Sequence, residues 1–184
     1  MAKRDGFVGL DFIHAPGVDH VLDLTTAPFP FPDASVDHVF SAHFLEHIPI
    51  PNHLFSEIGR VCKEGAKIEF WTPYGFSNEA FLYGHETFLT EEVWFHFCVR
   101  HRDHHLGILK GRWLLNCINF VVLPHIQNEL AAQRIPLAFA IKHLNNVVYE
   151  FGVDINFTRN LDAPPLEPSL VVRTERFGKS VQLS

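Results

Sequence analysis

The residues best suited to chemistry crowd into one short stretch, Ser41-Ala42-His43-Phe44-Leu45-Glu46-His47-Ile48. Its His43-x-x-Glu46-His47 spacing matches H-x-x-E-H. On a helix that pattern puts His43 and His47 on one face, four residues apart, to hold zinc, with Glu46 beside them as a base. The setting argues against a zinc hydrolase. The stretch directly follows an apolar run, and Pro49 and Pro51 close behind it leave barely one helical turn. No clear third ligand follows, Glu57 being only a guess. A second group, His101-Arg102-Asp103-His104-His105, has ligand types at i and i+4, but it reads as a solvated polar loop. No metal ligands are therefore assigned from the sequence.

The elements that must position Ser41 to His47 follow from the apolar pattern. Phe7 to Asp11, His20 to Leu24 and Val36 to Ser41 are short apolar runs, read as buried strands. Pro28, Pro30 and Pro32 keep the connection before the third run extended. Leu54, Phe55, Ile58, Val61 and Cys62 share one face of a helix, with Gly65 just past its end. Ala66 to Thr72 is a fourth strand, stopped by Pro73. The unit from Asp33 to Pro73 is thus a βαβ unit, and open parallel sheets bind ligands where their strands end. Thr90 before Glu91-Glu92 marks a capped helix with Val93, Trp94, Phe97 and Cys98 inward. Trp113 to Leu123 reads as a strand, 126–133 and Leu137 to Phe151 as helices, Ser169 to Glu175 as a closing strand, and Phe177 to Ser184 as a frayed tail. The pattern predicts an α/β fold: a mostly parallel sheet with helices on both faces and a C-terminal antiparallel strand.

Composition narrows the class. The 184 residues are 47% hydrophobic and 20% charged, which suits a single globular domain over 1–184. Net charge is −6 with no basic block, which argues against a nucleic-acid partner. No apolar run approaches the ~20 residues of a membrane helix. Cys62, Cys98 and Cys117 are an odd number at wide spacing, read as free thiols in a reducing, cytoplasmic setting.

With these elements in place, a resemblance is visible. Val21-Leu22-Asp23-Leu24, Phe29 to Asp37, Ser41 to Ile48, Glu57 to Gly65 and Trp71-Thr72-Pro73 together resemble the S-adenosylmethionine-dependent methyltransferases with a Rossmann-like fold, and most of all their small type 11 group. Five segments agree in order and spacing between about Phe7 and Pro73. Beyond Pro73 only the layout agrees. The resemblance implies S-adenosyl-L-methionine as cofactor. It places Asp11, with Phe12 after it, at the ribose hydroxyls, where a carboxylate offers two acceptor oxygens to a diol. It places Asp23 and Leu24 at the adenine, and Ser41, Ala42 and His43 under the methionine end near the transferring methyl. His43 is then the candidate base. Residues 7–73 form the cofactor side, 74–112 a variable cover and 113–176 the C-terminal strands and helices. His85 and Glu86 in the cover are candidates to contact the acceptor, a small molecule or glycan.

The chain departs from the family at its start. The family begins with a central strand and a Gly-x-Gly turn, and Met1 to Gly6 provide neither. A chain shortened at its start is expected, in which either the two flanking strands, ending at Asp11 and Ser41, pair directly or the sheet carries a gap between them that another chain, such as the second copy in a homodimer, would fill. The alternative is a non-catalytic methyltransferase-like module that binds a partner.

Overall fold

The computed structural model describes residues 5–178 and 180–183. The βαβ unit is present as read. Strand β3 (Val36–Ala42) leads through a single 3-10 turn (Leu45–His47) to helix α1 (Asn52–Val61) and strand β4 (Cys62–Pro73). β3 and β4 are parallel, with Val39 opposite Ile68 and Ala42 opposite Trp71. Gly65 does take a positive φ, +75°, but not as a helix cap. The chain passes straight from Val61 into β4, and Gly65 lies where the register slips between Val36 and His38. A residue in the left-handed region inside a strand absorbs such a bulge.

The strands before this unit are thinner than the apolar runs suggest. β1 is Leu10–Asp11 and β2 is His20–Val21, parallel to one another in a two-stranded sheet of their own. They are tied to β3 by ring contacts. Phe7 meets His38 edge-on at 5.0 Å, and Phe12 stacks on Phe44 at 5.2 Å. Since Phe7 precedes β1 as His38 precedes Phe44, the two strands run alongside in the same sense.

Past Pro73 the chain continues with helix α2 (Glu91–Phe95), a π-helical turn (His96–Arg100), helix α3 (Leu106–Leu109), strand β5 (Arg112–Val121), and helices α4 (Pro124–Ala132) and α5 (Leu137–His143). Strands β6 (Glu150–Thr158), β7 (Ser169–Arg173) and β8 (Ser180–Gln182) close the fold. Two expectations fail here. The helix from Leu137 stops at His143, and Phe151 belongs to β6. Phe151, Val153, Ile155 and Phe157 alternate with period two and are all buried. That alternation outweighs the helical spacing carried in from Leu137. The expected frayed tail holds β8, paired antiparallel with β7, while Ser184 lies outside the described residues.

The main sheet has the order β3-β4-β6-β5-β7-β8. β6 is antiparallel to both neighbours, so β3, β4, β5 and β7 point the same way. The mostly parallel α/β, Rossmann-like class stands. The antiparallel strand sits inside the sheet, and the closing strand Ser169–Arg173 runs parallel to β5.

The two faces of this sheet differ in chemistry. One carries Ile68, Phe70, Phe151, Val153, Ile155, Ile118 and Phe120, all buried. Phe70 stacks on Trp94 and Trp113, and Phe55 of α1 meets all three rings. The opposite face is polar. Asn119 donates to Asp154 (2.9 Å) and accepts from Arg173 (2.7 Å). Over β3 and β4 that face meets the Arg176–Phe177 turn, where Phe177 contacts Phe40 and Trp71, and Phe7, which contacts His38. No described helix is long and apolar enough to cross a membrane.

Candidate functional site

β3 ends by turning sharply. His43 has φ +53°, a left-handed conformation unusual for a side-chain-bearing residue, while its N–H still donates to the Trp71 carbonyl (2.9 Å). The last ladder bond is kept and the chain then leaves the sheet. Glu46 lies in the 3-10 turn with only 2% of its surface exposed.

The His43 ring is bound on both sides. Nδ1 lies 3.2 Å from Glu46 Oε1 and Nε2 lies 3.3 Å from Glu150 Oε1. Both glutamates are buried, and Glu150 also accepts from Arg176 (2.7 Å). The hydrogen bonds from Glu150 and then Glu46 outweigh burial and push the imidazole up to about 9. His43 therefore carries its proton at neutral pH. With both nitrogens occupied, it presents no lone pair to an incoming acceptor.

The remaining predicted positions divide. Asp11 ends β1 with Oδ1 accepting the N–H groups of Phe12 (2.7 Å) and Ile13 (3.4 Å), which leaves Oδ2 for another donor. The Phe12–Phe44 stack ties the end of β1 to the turn after β3, so Asp11, Phe12, Ser41, Ala42 and His43 form one neighbourhood. Asp23 is engaged in its own turn. Its Oδ1 accepts from the backbone and hydroxyl of Thr25 (2.9 and 2.6 Å), and its Oδ2 from Thr26 (2.8 Å). Those bonds, Thr25 foremost, hold its carboxyl below the usual range and spend it on a turn. Leu24 is in the core.

His85 and Glu86 lie against the turn that follows β3. The N–H groups of Glu86 and Thr87 donate to the Glu46 carbonyl (2.7 and 3.1 Å), and Thr87 Oγ1 donates to the Ile48 carbonyl (2.6 Å). The His85 ring meets His47 edge-on at 4.9 Å. His43 and His47 do not share a helical face, because His43 lies outside the single 3-10 turn. His101, His104 and His105 gather with His96, at ring distances of 4.4 to 5.1 Å along the chain of contacts. Burial, foremost, pushes His105 down.

Sequence reasoning missed Glu150 and Arg176. Both lie far along the chain from His43, and Glu150 begins the strand that was read as the end of a helix. Two surface clefts, of about 150 and 410 Å³, lie elsewhere. One is lined by residues including Ser77, His125 and Tyr149, the other by Asp33, Arg60 and Arg159 among others. Neither includes a predicted site residue.

Residues 10–70, about a third of the chain, match the Methyltransf_11 methyltransferase domain family. Among solved structures, the chain is similar to a SAM-dependent methyltransferase from Archaeoglobus fulgidus, at 15% identity over 74% of this chain and 66% of that one, TM-score 0.53. It is also similar to a SAM-dependent methyltransferase from Aquifex aeolicus (16% identity, 77% and 56% covered, TM-score 0.46). A third is a putative methyltransferase from Bacillus halodurans (19% identity, 83% and 81% covered, TM-score 0.46). The chain spans just under two thirds of the first of these and little over half of the second. No curated protein matches it in sequence.

The fold is thus the Rossmann-like fold of the S-adenosylmethionine-dependent methyltransferases. Residues 10–70, within that fold, are the part that matches the methyltransferase domain model.

Proposed function

We propose that this chain is a cytoplasmic S-adenosylmethionine-dependent methyltransferase acting on a small-molecule or glycan acceptor. The observation that carries the reading is the neighbourhood formed by the ends of β1 and β3, joined through Phe12 and Phe44, inside the segment that matches the methyltransferase domain. The bound cofactor supplies the electrophilic methyl group. Asp11 Oδ2 accepts from the ribose diol, Phe12 lies along the nucleoside, and Ser41 and Ala42 pass under the methionine end. Asp23 and Leu24 act from behind, by shaping the turn.

His43 is a positioning residue in this reading and not the base. Both its nitrogens face carboxylates, and through them it fixes the turn against β6. His85 and Glu86 flank the acceptor side. An exposed rim of Phe81, Leu82, Tyr83 and Phe88 suits an acceptor with an apolar or ring-shaped body.

Calorimetry of the purified chain with S-adenosylmethionine and its demethylated product tests the donor site. Saturable one-to-one binding supports the reading; no heat with either compound at millimolar concentration would sink it. One observation favours the second reading, a non-catalytic partner-binding module. Among the described residues, β1 and β2 form a sheet apart from β3. A native mass showing an obligate dimer without cofactor affinity would support the module. A cofactor-binding monomer would remove it.

A further inference from the structure

We propose that Glu46, His47 and His85 form a binding site for a divalent first-row transition cation, with zinc, cobalt or iron as the chemical class. One ligand atom from each residue lies within 4.8 Å of the other two, and among the described residues no other group of three meets that condition. The three come from two elements. Glu46 and His47 belong to the 3-10 turn after β3, and His85 belongs to the loop pinned onto that turn through Glu86 and Thr87.

Two independent features point to a ligand. The first is a pair of orphaned polar atoms. Glu46 is 98% buried, yet its Oε2 has no hydrogen-bond partner, and neither has the buried Nδ1 of His85. A buried carboxylate oxygen left unpaired is costly unless something cationic meets it. The second is the hydrogen bond that orients His47. Its Nδ1 lies 2.9 Å from the Gly84 carbonyl, which can only accept, so the proton sits on Nδ1 and Nε2 carries the lone pair. A backbone carbonyl holding one imidazole nitrogen while the other is left for a metal is the usual outer arrangement of a histidine ligand. Glu46 has the matching support, since its Oε1 is held by His43 Nδ1 at 3.2 Å and Oε2 is left over.

The donor set selects the ion. Magnesium and calcium take all-oxygen surroundings, whereas two imidazoles and one carboxylate suit zinc and its first-row neighbours. Donors around such an ion stand ~3.4 Å apart, given bonds of ~2.1 Å. The three ligand atoms lie within 4.8 Å of one another, so binding would draw them together around the ion. Three protein ligands leave at least one position on the ion open to water or another ligand. The H-x-x-E-H reading named one of these ligands, His47, but took Glu46 as a base and His43 as the second histidine. His43 turns away to Glu150, and His85 takes the place from another segment.

The inference stands apart from the methyl-transfer reading and its test needs no turnover. The chelator-treated chain is titrated with cobalt(II) and followed by its visible ligand-field absorption, and zinc content is measured after reloading and gel filtration. One ion per chain is expected. His85→Ala, His47→Ala and Glu46→Gln should each weaken cobalt binding at least about tenfold. His101→Ala/His104→Ala should leave it unchanged. Failure of the wild-type chain to retain one ion would overturn the site. So would full retention by His47→Ala and His85→Ala, both surface changes that leave the fold intact by circular dichroism.

Discussion

The βαβ unit from Val36 to Pro73 and the two short strands before it were built from the same kind of apolar run, yet they hold their residues very differently. β4 has twelve residues, is paired on both sides, and carries Phe70 into a stack of aromatic rings. β1 and β2 have two residues each, and Val21 is 51% exposed. Ser41, Ala42 and His43 are therefore positioned by a core that exists without any ligand. Asp11 is positioned by a small sheet, a ring stack and its own turn. The half of the site that would grip the donor's ribose is the half with the least buried area behind it.

The largest expected effect breaks this contrast directly. Phe70→Ala removes a buried ring from between Trp94 and Trp113 and should cost about 3–5 kcal/mol in denaturant unfolding. Val21→Ala, in the same kind of sequence pattern, should stay within about 0.5 kcal/mol. Comparable losses at the two positions would mean that the β1–β2 sheet is as well packed as the main one.

Next comes the division of labour between the two strand-end acids. Asp11→Ala should weaken binding of the demethylated cofactor about 10- to 100-fold, the worth of hydrogen bonds to a charged acceptor. Asp23→Ala should change it less than about twofold and instead lower stability through loss of its turn. Calorimetry and urea titration on both variants separate the roles. The reverse ranking would restore Asp23 as the ligand group.

How far the sequence reveals this site depends on the range of the interaction. The β3 turn, α1 and β4 were legible because each rests on local signals: an apolar run, a proline pair, one helical face. The partners of His43 were not. Glu150 reaches it from β6, and β6 was misread because Leu137 to Phe151 happens to show helical spacing while the deciding alternation begins at Phe151. The spending of Asp23 on Thr25 and Thr26 was open to view as an Asx-type turn, but a strand-end acid was read for its charge and not for its neighbours. The third partner of Glu46 and His47 lies on a loop whose placement comes from backbone bonds, Glu86 and Thr87 to Glu46, that leave no mark in side-chain pattern.

The smallest expected effect concerns the clamp that joins the two regions. Glu57 on α1 accepts from the Phe29 N–H (2.7 Å) and from Arg60, while Arg60 donates to the carbonyls of Phe29 and Phe31 and to Asp33. His53 adds a bond to the Ala27 carbonyl (2.9 Å). α1 thereby holds the proline-rich loop that follows β2. The Arg60 guanidinium, above all, holds the Glu57 carboxyl below its usual range. A carboxyl lowered on folding adds stability above its unfolded value, near pH 4.5, and that contribution is lost as pH falls through the lower folded value. Glu57→Gln should therefore lower stability by ~1–2 kcal/mol at neutral pH and flatten the acid limb below about pH 4.5. Hydrogen exchange should then rise over residues 10–35 while β4 and β6 keep their protection, because the clamp serves the thin sheet and not the core. Equal loosening of β4 would show instead that α1 needs Glu57 for its own docking, and the two regions would then be one cooperative unit.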